Sequence, residues 1–281
     1  SNQAVTGSQF YGRSLELNLL LQHPNRSFAI EGGRRIGKTS LLKEFKRRRL
    51  LNKSLAEVEE KRLIWYDFWG FKSEASFFEE VVRHFGEGFP KLVRPDFAGY
   101  FPRFINRMKG IHGGPIIFVF DEVDDLIEYE RKTNYHLLGL LKRVADAGDC
   151  RLLIAGFRDL SEELNRHDSP LTFCDRLRLH NLNREQTQAL LGDPMLNMGV
   201  RLERDVFPQI LEDTGGHPQL VQLYGQSLVE ILDKSDKKIA TVNHVRQIKR
   251  AGRLHDRLVE ILIDNTTDLE FALVYSLAEE V

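Results

Sequence analysis

A short glycine-rich segment with a lysine and a hydroxyl carries the most recognisable chemistry in this sequence. Within SFAIEGGRRIGKTSLLKEF, the pattern GxxxxGK[ST] is matched without a mismatch by Gly32, Gly37, Lys38 and Thr39. Glycines let the backbone wrap closely around phosphates, and the amides of residues 33–38 can point inward as a nest for an anion. Lys38 would bring positive charge to the terminal phosphates, and Thr39 would offer a hydroxyl to Mg²⁺. The segment predicts a site for a nucleotide di- or triphosphate.

The residues on either side predict the elements that would position this loop. SFAI is a strand candidate, and KTSLLKEFKRRRL has leucine and phenylalanine at helical spacing. The positive end of that helix would add to the attraction for phosphate. The predicted nucleotide-binding residues of the loop are Gly32, Gly33, Arg34, Arg35, Ile36, Gly37, Lys38, Thr39 and Ser40.

A second segment, PIIFVFDEVDDL, supplies the carboxylates that such a loop requires. Five apolar residues, Ile116–Phe120, precede Asp121 and Glu122. A continuous apolar run is typical of a central parallel strand that is covered on both faces. At its end, Asp121 would hold Mg²⁺ through water, and Glu122 would polarise the attacking water. A strand that ends in a solvated acidic turn is the alternative when the segment is considered alone.

The spacing of the two segments indicates the class of P-loop protein. Lys38 and Asp121 are 121 − 38 = 83 residues apart, and a further strand candidate, RLIWYDFW, lies between them with helices near Glu74–Phe85 and Phe97–Met108. This arrangement predicts that the strand ending at Asp121 is not adjacent in the sheet to the strand before the glycine-rich loop. ATPases with an added catalytic glutamate have this strand order. The guanine-binding pattern NKxD is absent because NKSL lacks the aspartate, and no LSGGQ-like signature occurs. ATP is the predicted nucleotide.

Downstream of the acidic segment the pattern continues and then becomes helical. A helix is predicted over Asn134–Ala147, followed by a buried strand over Leu152–Ala155 in CRLLIAGFRDL. Arg158 follows that strand, where it could sense the terminal phosphate or be an exposed loop arginine. A fifth strand candidate, DRLRLHNL, comes next. Helices are then predicted from NREQTQALL onward and near Glu203–Asp213, Pro218–Leu232 and Val242–Ala251.

Composition excludes several classes of protein. The formal net charge of −1 over 281 residues gives no global attraction to nucleic acid or to an anionic membrane. Apolar runs as short as IIFVF cannot span a bilayer, and the opening SNQAVTGSQ lacks the features of a signal peptide. Cys150 and Cys174 form neither a disulfide framework nor a zinc site, which predicts a reduced, cytoplasmic protein. The basic run KRRR at residues 46–49 has acidic residues nearby in EVEEKR, which indicates local charge balance.

Four segments in the same order resemble the STAND and archaeal-type AAA+ ATPases. FYGRSLELNLL is similar to their hhGRExE motif, with matches at Gly12, Arg13 and Glu16 but with Ser14 and Leu15 where the motif differs. GGRRIGKTSLL and IIFVFDEVD resemble the Walker A and Walker B segments of the family, and TGGHPQLVQLYG resembles its GxP motif. The resemblance implies that Arg13 and Pro218 flank the nucleotide. From the residues alone, GGHP is fully explained as the end of one helix and the first turn of the next.

The resemblance also implies a domain organisation. It implies an α/β fold, a three-layer P-loop NTPase with a parallel sheet of the ASCE/AAA+ type. This domain would occupy residues 9–182, a helical lid residues 183–253, and the start of an incomplete winged-helix domain residues 254–281. Members of the family often complete the site with an arginine from a neighbouring subunit. Arg176, just before the fifth strand in FCDRLRL, is the candidate for this finger and Arg166 is a rival, although a solvated arginine explains either position.

The resulting functional hypothesis is an ATP-binding and ATP-hydrolysing AAA+/STAND-type module that uses Mg²⁺. It would act as a nucleotide-dependent conformational or assembly switch in a larger protein. Its expected partners are other copies of the chain or another protein, and no membrane partner is expected. Two alternatives are a DNA-engaged AAA+ ATPase of the replication-initiator or transposition-regulator kind, and a scaffold that stays bound to ADP with little turnover. The neutral charge does not favour the first alternative, and Glu122 argues against the second.

Overall fold

Strands and helices alternate along the first part of the chain in the computed structural model, which describes residues 6–7, 10–51, 55–86, 97–252, 256 and 259–261. Contacts divide the chain into two units. The first comprises Ser1–Gly7, Leu15–Gly32 and Lys38–Leu179, and the second comprises Ser8–Ser14, Gly33–Gly37 and His180–Val281. The ranges 9–182 and 183–253 stay predictions of domain organisation, and the contacts differ from them by placing 8–14 and 33–37 with the later residues.

The first unit is built on a five-stranded parallel sheet. Its strands are β1 (Phe28–Glu31), β2 (Leu63–Asp67), β3 (Ile116–Asp121), β4 (Cys150–Gly156) and β5 (Asp175–Arg178). Their order across the sheet is β2-β3-β4-β1-β5. Because β4 lies between β1 and β3, the strand that carries Asp121 is not adjacent to the strand before the glycine-rich loop. The predicted arrangement is confirmed.

One helix of this unit precedes β1 in sequence, and the others lie between successive strands. They are α1 (Ser14–Gln22), α2 (Lys38–Arg49), α3 (Ala56–Arg62), α4 (Glu74–His84), α5 (Phe97–Ile111), α6 (Asp124–Lys132), α7 (His136–Asp146) and α8 (Arg158–Leu164). Every residue of β3 and of β4 is buried, as expected for central strands that are covered on both faces. The core is rich in phenylalanine, with fully buried rings at Phe68, Phe77, Phe101, Phe118 and Phe120.

The helical region after β3 differs from the single predicted helix over Asn134–Ala147. Two helices, α6 and α7, lie on either side of a turn in which Asn134 and Tyr135 have positive φ angles of 58° and 56°. The buried carboxylate of Glu130 accepts hydrogen bonds from the amides of Leu137 and Leu138, at 3.3 and 2.7 Å. The turn and this cap start α7, which confirms the predicted helix over Asn134–Ala147 to within two residues, whereas α6 was not predicted.

The second unit is mainly helical. Its elements are α9 (Arg184–Asn197), β6 (Arg201–Leu202), α10 (Val206–Thr214), α11 (Pro218–Lys234), β7 (Ile239–Ala240) and α12 (Val242–Arg250). The two short strands pair in parallel, and a capping box of Asn183 and Gln186 starts α9. The predicted winged-helix segment, 254–281, lies outside the described residues except at 256 and 259–261.

Two further observations concern the whole of the described part of the chain. None of its helices is both long enough and apolar enough to cross a membrane. Cys150, at the start of β4, and Cys174, just before β5, are free thiols, and burial raises the pKa of both.

The basic run at the end of α2 is paired with glutamates. Glu44, whose side chain is fully buried, accepts hydrogen bonds from Arg47 at 2.6 Å and from Arg48 at 2.8 Å, and also from the Gly7 amide at 2.7 Å. Arg49 pairs with Glu59, an acidic residue of EVEEKR. The local charge balance indicated by the sequence is therefore present. Burial would raise the pKa of Glu44, but hydrogen bonds from Arg47, Gly7 and Arg48 lower it from 4.5 to about 2.

Glu44→Gln should lower the free energy of unfolding in a pH-dependent way. The pKa of Glu44 is lower in the folded chain, so its ionised form contributes stability that is complete above pH 4.5 and is lost as the pH falls toward about 2. The variant should lose on the order of 1–3 kcal/mol at pH 7 and progressively less at pH 4 and pH 3. Urea unfolding at these three pH values measures the difference.

Glu128→Gln is a matched control, because Glu128 pairs with Lys132 on an exposed face. Exposed pairs contribute about 0–1 kcal/mol, so this variant should differ little from the wild type at any pH. A loss for Glu44→Gln that is the same at pH 7 and pH 3 would contradict the assignment.

Candidate functional site

The glycine-rich loop lies between the end of β1 and the start of α2, as predicted. Gly37 has a φ angle of 106° and Arg35 one of 63°, so the loop uses backbone conformations that let successive amides converge. Lys38 is 6% exposed as a residue. Its ammonium donates a hydrogen bond to the Gly32 carbonyl at 2.8 Å and lies 5.7 Å from the centre of the Phe157 ring. The loop thus holds its lysine by a carbonyl and an aromatic face.

Thr39 and Asp121, the two predicted magnesium ligands, are brought together. The Thr39 side chain makes a hydrogen bond with the carboxylate of Asp121, which is 4% exposed at the end of β3. Burial raises the pKa of Asp121, the Thr39 bond opposes this, and the nearby charge of Asp67 adds to it. The ionised carboxylate is therefore incompletely compensated by its surroundings, which is the condition in which a divalent cation binds well.

Glu122 follows in a strained conformation beside the same group of charges. Its φ angle is 51°, in the left-handed region that non-glycine residues rarely adopt. Burial raises the pKa of Glu122, the Lys38 charge lowers it, and Asp121 and Asp124 raise it again. A carboxylate with raised proton affinity close to an ammonium has the properties of a general base.

Arg158 is the first residue of α8, directly after the turn that follows β4. Its guanidinium lies 5.1 Å from the centre of the Phe157 ring. Its Nη2 is buried and has no hydrogen-bond partner among the residues that the structure describes. A buried, unpartnered guanidinium nitrogen is costly unless it meets an anion, so the donor set fits a polyphosphate.

Arg13 and Pro218 lie in the second unit with the middle of the glycine-rich loop. The buried guanidinium of Arg13 donates to the Ile36 carbonyl at 3.2 Å and to the His180 carbonyl. Arg13 therefore braces the backbone of the loop. His217 precedes Pro218, the first residue of α11, and its ring makes a hydrogen bond to the backbone of Arg34. The nucleotide contacts of Arg13 and Pro218 stay predictions.

The GGHP segment has a structural requirement of its own. A Cβ on Gly216 would lie 2.1 Å from the Leu182 carbonyl oxygen, and the Leu182 amide donates to the Gly216 carbonyl at 2.9 Å. Gly215 ends α10 in the left-handed conformation, with a φ angle of 54°. These contacts explain both glycines and the proline as a helix boundary, as the sequence alone also indicated.

The two candidate finger arginines are both bound within their own chain. Arg176 lies within β5, not before it as predicted, and donates to Glu31 at 3.0 Å and to Asn165 at 2.8 Å. Arg166 pairs with Asp168 at 2.9 Å. A trans role for either arginine stays a prediction, and it would require release of these contacts.

Glu31 is the main residue that sequence reasoning missed. It ends β1 directly before Gly32, is 1% exposed, and accepts hydrogen bonds from Arg176, Arg178 and Ser161. Burial would raise the pKa of Glu31, but these three bonds hold it below its usual range. The signal was present in AIEGG, where a carboxylate ends an otherwise apolar strand. Glu31 anchors the base of the loop to β5 and α8.

Asp121→Asn should stabilise the protein while removing cation-dependent ligand binding. The raised pKa of Asp121 means that its ionised form costs stability at neutral pH, whereas an amide of the same shape keeps an acceptor for Thr39. The unfolding midpoint without ligand should rise by a few degrees, since 1 kcal/mol corresponds to about 2–4 °C in a domain of this size. Magnesium and ATP together should raise the midpoint of the wild type but not of the variant.

Asp125→Asn is the control for this prediction, because Asp125 accepts from the Gly70 amide in an exposed turn. It should give no increase in the midpoint without ligand. A lower midpoint for Asp121→Asn would show that the carboxylate is stabilised by its surroundings, contrary to the prediction.

Comparison with known proteins agrees with this geometry. A family profile described as "Bacterial TniB protein" matches residues 14–186, more than half of the chain. No curated protein sequence is significantly similar to the chain.

Solved structures of the AAA+ class share the fold. The Walker-type ATPase PABY2304 of Pyrococcus abyssi has a TM-score of 0.64 at 17% identity, covering 89% of this chain and 74% of that one. Domain III of the replication initiation protein DnaA of Thermotoga maritima has a TM-score of 0.55 at 18% identity, covering 89% of this chain and 94% of that one. The Aeropyrum pernix ORC1 protein in complex with DNA has a TM-score of 0.57 at 18% identity, covering 93% and 69%.

These likenesses establish the fold and leave function to the site. The parallel sheet with β4 between β1 and β3, the glycine-rich loop and the matched profile agree with one another. The chain has the AAA+ P-loop ATPase fold and belongs to the bacterial TniB family.

Proposed function

We propose that this chain binds ATP with Mg²⁺ and hydrolyses it to ADP and phosphate. The observation that carries the proposal is the convergence of the Thr39–Asp121 hydrogen bond, the buried Lys38 ammonium and Glu122 at the ends of two parallel strands. A lysine for the phosphates, a carboxylate and hydroxyl for Mg²⁺, and a second carboxylate for the attacking water are groups that phosphoryl transfer to water uses.

Each residue has a distinct task in this proposal. The amides of residues 33–38 and the Lys38 ammonium hold the phosphates, and Thr39 and Asp121 hold the cation. Mg²⁺ held by Thr39 and Asp121 would supply positive charge to the phosphate oxygens. Glu122 accepts a hydrogen bond from the attacking water and so orients it, while Arg158 donates its unpartnered Nη2 to the terminal phosphate.

Glu122→Gln should separate binding from turnover. The amide keeps the shape of the side chain and loses the charge that orients water, so ATP should bind with wild-type affinity while turnover falls by about 10²–10⁴-fold. Lys38→Ala should instead abolish tight binding, because the backbone nest alone cannot offset the phosphate charge. Titration with fluorescent ATP and a phosphate-release assay distinguish the two variants.

The outcome that contradicts the assignment is specific for each variant. Turnover that survives Glu122→Gln would show that another residue is the base, and unchanged affinity in Lys38→Ala would remove the P-loop assignment. Lys142→Ala is a matched control, since the Lys142 ammonium lies against the Phe173 ring, outside the loop. It should leave affinity and turnover unchanged.

The output of the nucleotide cycle is proposed to be a conformational or assembly switch of the STAND type. Support comes from the second unit, where Arg13 and His217 are bonded to the backbone of the phosphate-binding loop at Ile36 and Arg34. Occupation of the loop amides would therefore act directly on residues that adjoin α9 and α11. Self-association or a partner protein would read this change, and a scaffold that stays bound to ADP is the outcome if turnover is negligible.

A DNA-engaged ATPase is the second candidate. Two similar structures, described as a replication initiation protein and as a complex with DNA, favour this candidate. At 18% identity, their similarity establishes only the fold. The basic run of α2 does not support it, because Arg47 and Arg48 are paired with Glu44, and Arg49 is paired with Glu59.

If the chain engages DNA, duplex binding should weaken steeply as the salt concentration rises. A protein that contacts 6–10 phosphates loses about 10³–10⁵ in affinity between 50 and 200 mM salt. Fluorescence anisotropy of a labelled duplex with ATP and with ADP tests this. Arg47→Ala should not change the affinity, because that arginine is already paired with Glu44. No binding at 50 mM salt with either nucleotide would exclude this candidate for the chain.

A further inference from the structure

Asp124, the first residue of α6, ties the end of β3 to the turn that follows β4. Its Oδ2 accepts a hydrogen bond from the Phe157 amide at 2.7 Å. Its Oδ1 accepts from the amides of Asp159 and Leu160, at 2.9 and 3.3 Å. Hydrogen bonds from amides to a carboxylate are stronger than neutral ones, so three of them hold the carboxylate and the turn in one relative position.

Packing and backbone contacts fix the same junction. A Cβ on Gly156 would lie 2.8 Å from the Leu160 Cβ, 2.9 Å from Val123 Cγ2 and 3.0 Å from Asp124 Oδ2. The Val123 amide donates to the Ala155 carbonyl at 3.1 Å. The segments after β3 and after β4 are therefore joined by close packing and a backbone hydrogen bond as well as by the Asp124 carboxylate.

This junction holds two residues of the proposed site. Glu122, with its φ angle of 51°, precedes it by one residue on the β3 side. A non-glycine residue keeps such a conformation only where neighbouring contacts impose it. The Glu122 amide donates to Asp121 Oδ1 at 3.2 Å, and the bonds of Val123 and Asp124 fix the backbone that follows. On the β4 side, the Phe157 ring lies 5.7 Å from the Lys38 ammonium. Asp124 thus connects the proposed base with the aromatic face that adjoins the proposed phosphate-binding lysine.

We propose that Asp124 is a positioning residue for hydrolysis, which keeps Glu122 and Phe157 in register with the Lys38 ammonium. The inference rests on the proposed ATPase activity. Both Asp124 oxygens are occupied by backbone amides, so Asp124 acts through the residues it holds. Its effect should fall on turnover, because the orientation of Glu122 governs the chemical step while the loop of residues 32–39 governs affinity.

Asp124→Asn is the informative substitution. The amide keeps one acceptor oxygen, but its NH₂ group cannot accept, so at least one of the three bonds is lost and the side-chain volume is unchanged. We expect kcat to fall by about 10–10²-fold, because small displacements of catalytic groups have effects of this size. The affinity for fluorescent ATP should stay at the wild-type value.

Glu130→Gln is the matched control, since Glu130 also accepts hydrogen bonds from two amides at a helix start, those of Leu137 and Leu138. It should alter thermal stability without altering kcat. A second readout is a double-mutant cycle of Asp124→Asn with Phe157→Leu, which removes the ring beside Lys38. If Asp124 acts through Phe157, the loss in log kcat of the double variant should be smaller than the sum of the losses of the two single variants.

Each alternative outcome overturns the proposal in a recognisable way. A wild-type kcat in Asp124→Asn shows that Asp124 positions nothing of importance. Equal loss of ATP affinity and kcat, together with a fall in the unfolding midpoint, shows a structural role. Additive losses in the cycle remove the link through Phe157. A wild-type chain that binds ATP without turnover refutes the proposed hydrolysis itself, and this result is distinct because it appears before any substitution.

Discussion

The first unit keeps the Lys38 ammonium and the Asp121 carboxylate largely out of water beside the half-buried Glu122, and much of its structure serves this constraint. Burial of an ion costs several kcal/mol unless neighbours compensate it. Lys38 is compensated by the Gly32 carbonyl and the Phe157 ring, and Asp121 by the Thr39 side chain. The compensation is incomplete, because the pKa of Asp121 and of Glu122 remains raised. The protein thus accepts a cost in stability at the residues that would meet a cation and a water.

Glu31, at the end of β1 and two strands from Asp121 across the sheet, is a buried carboxylate whose charge is fully compensated. It is as buried as Asp121, yet three donors from its own chain hold its pKa below the usual value. The two residues have similar exposure and opposite pKa shifts: burial dominates for Asp121, whereas hydrogen bonds from Arg176, Ser161 and Arg178 outweigh burial for Glu31. A carboxylate satisfied within the chain is an anchor, whereas one left short of donors is suited to an external cation.

The sequence was sufficient for the sheet, the glycine-rich loop and the two carboxylates that end the apolar run of β3. Gly32 to Thr39 and the apolar run before Asp121 are local patterns in which each residue type has its own chemical reason, so spacing alone predicted them. The partners of Glu31 lie 145 and 147 residues away, and no local pattern records them. Helix α6 was missed because its segment, DDLIEYERK, is mostly charged. One of its glutamates, Glu130, is buried in the structure, but in the sequence a glutamate indicates a surface position.

The two cysteines have a consequence for experiments on folding. Cys150 and Cys174 lie at the start of β4 and just before β5, both buried and both with thiols of raised pKa. A thiol of this kind is almost entirely protonated at neutral pH, and its sulfur is closed to reagents. Alkylation should therefore report the opening of the strands themselves. The rate at which Cys150 and Cys174 are alkylated would therefore measure how often the sheet opens near β4 and β5, without an introduced label.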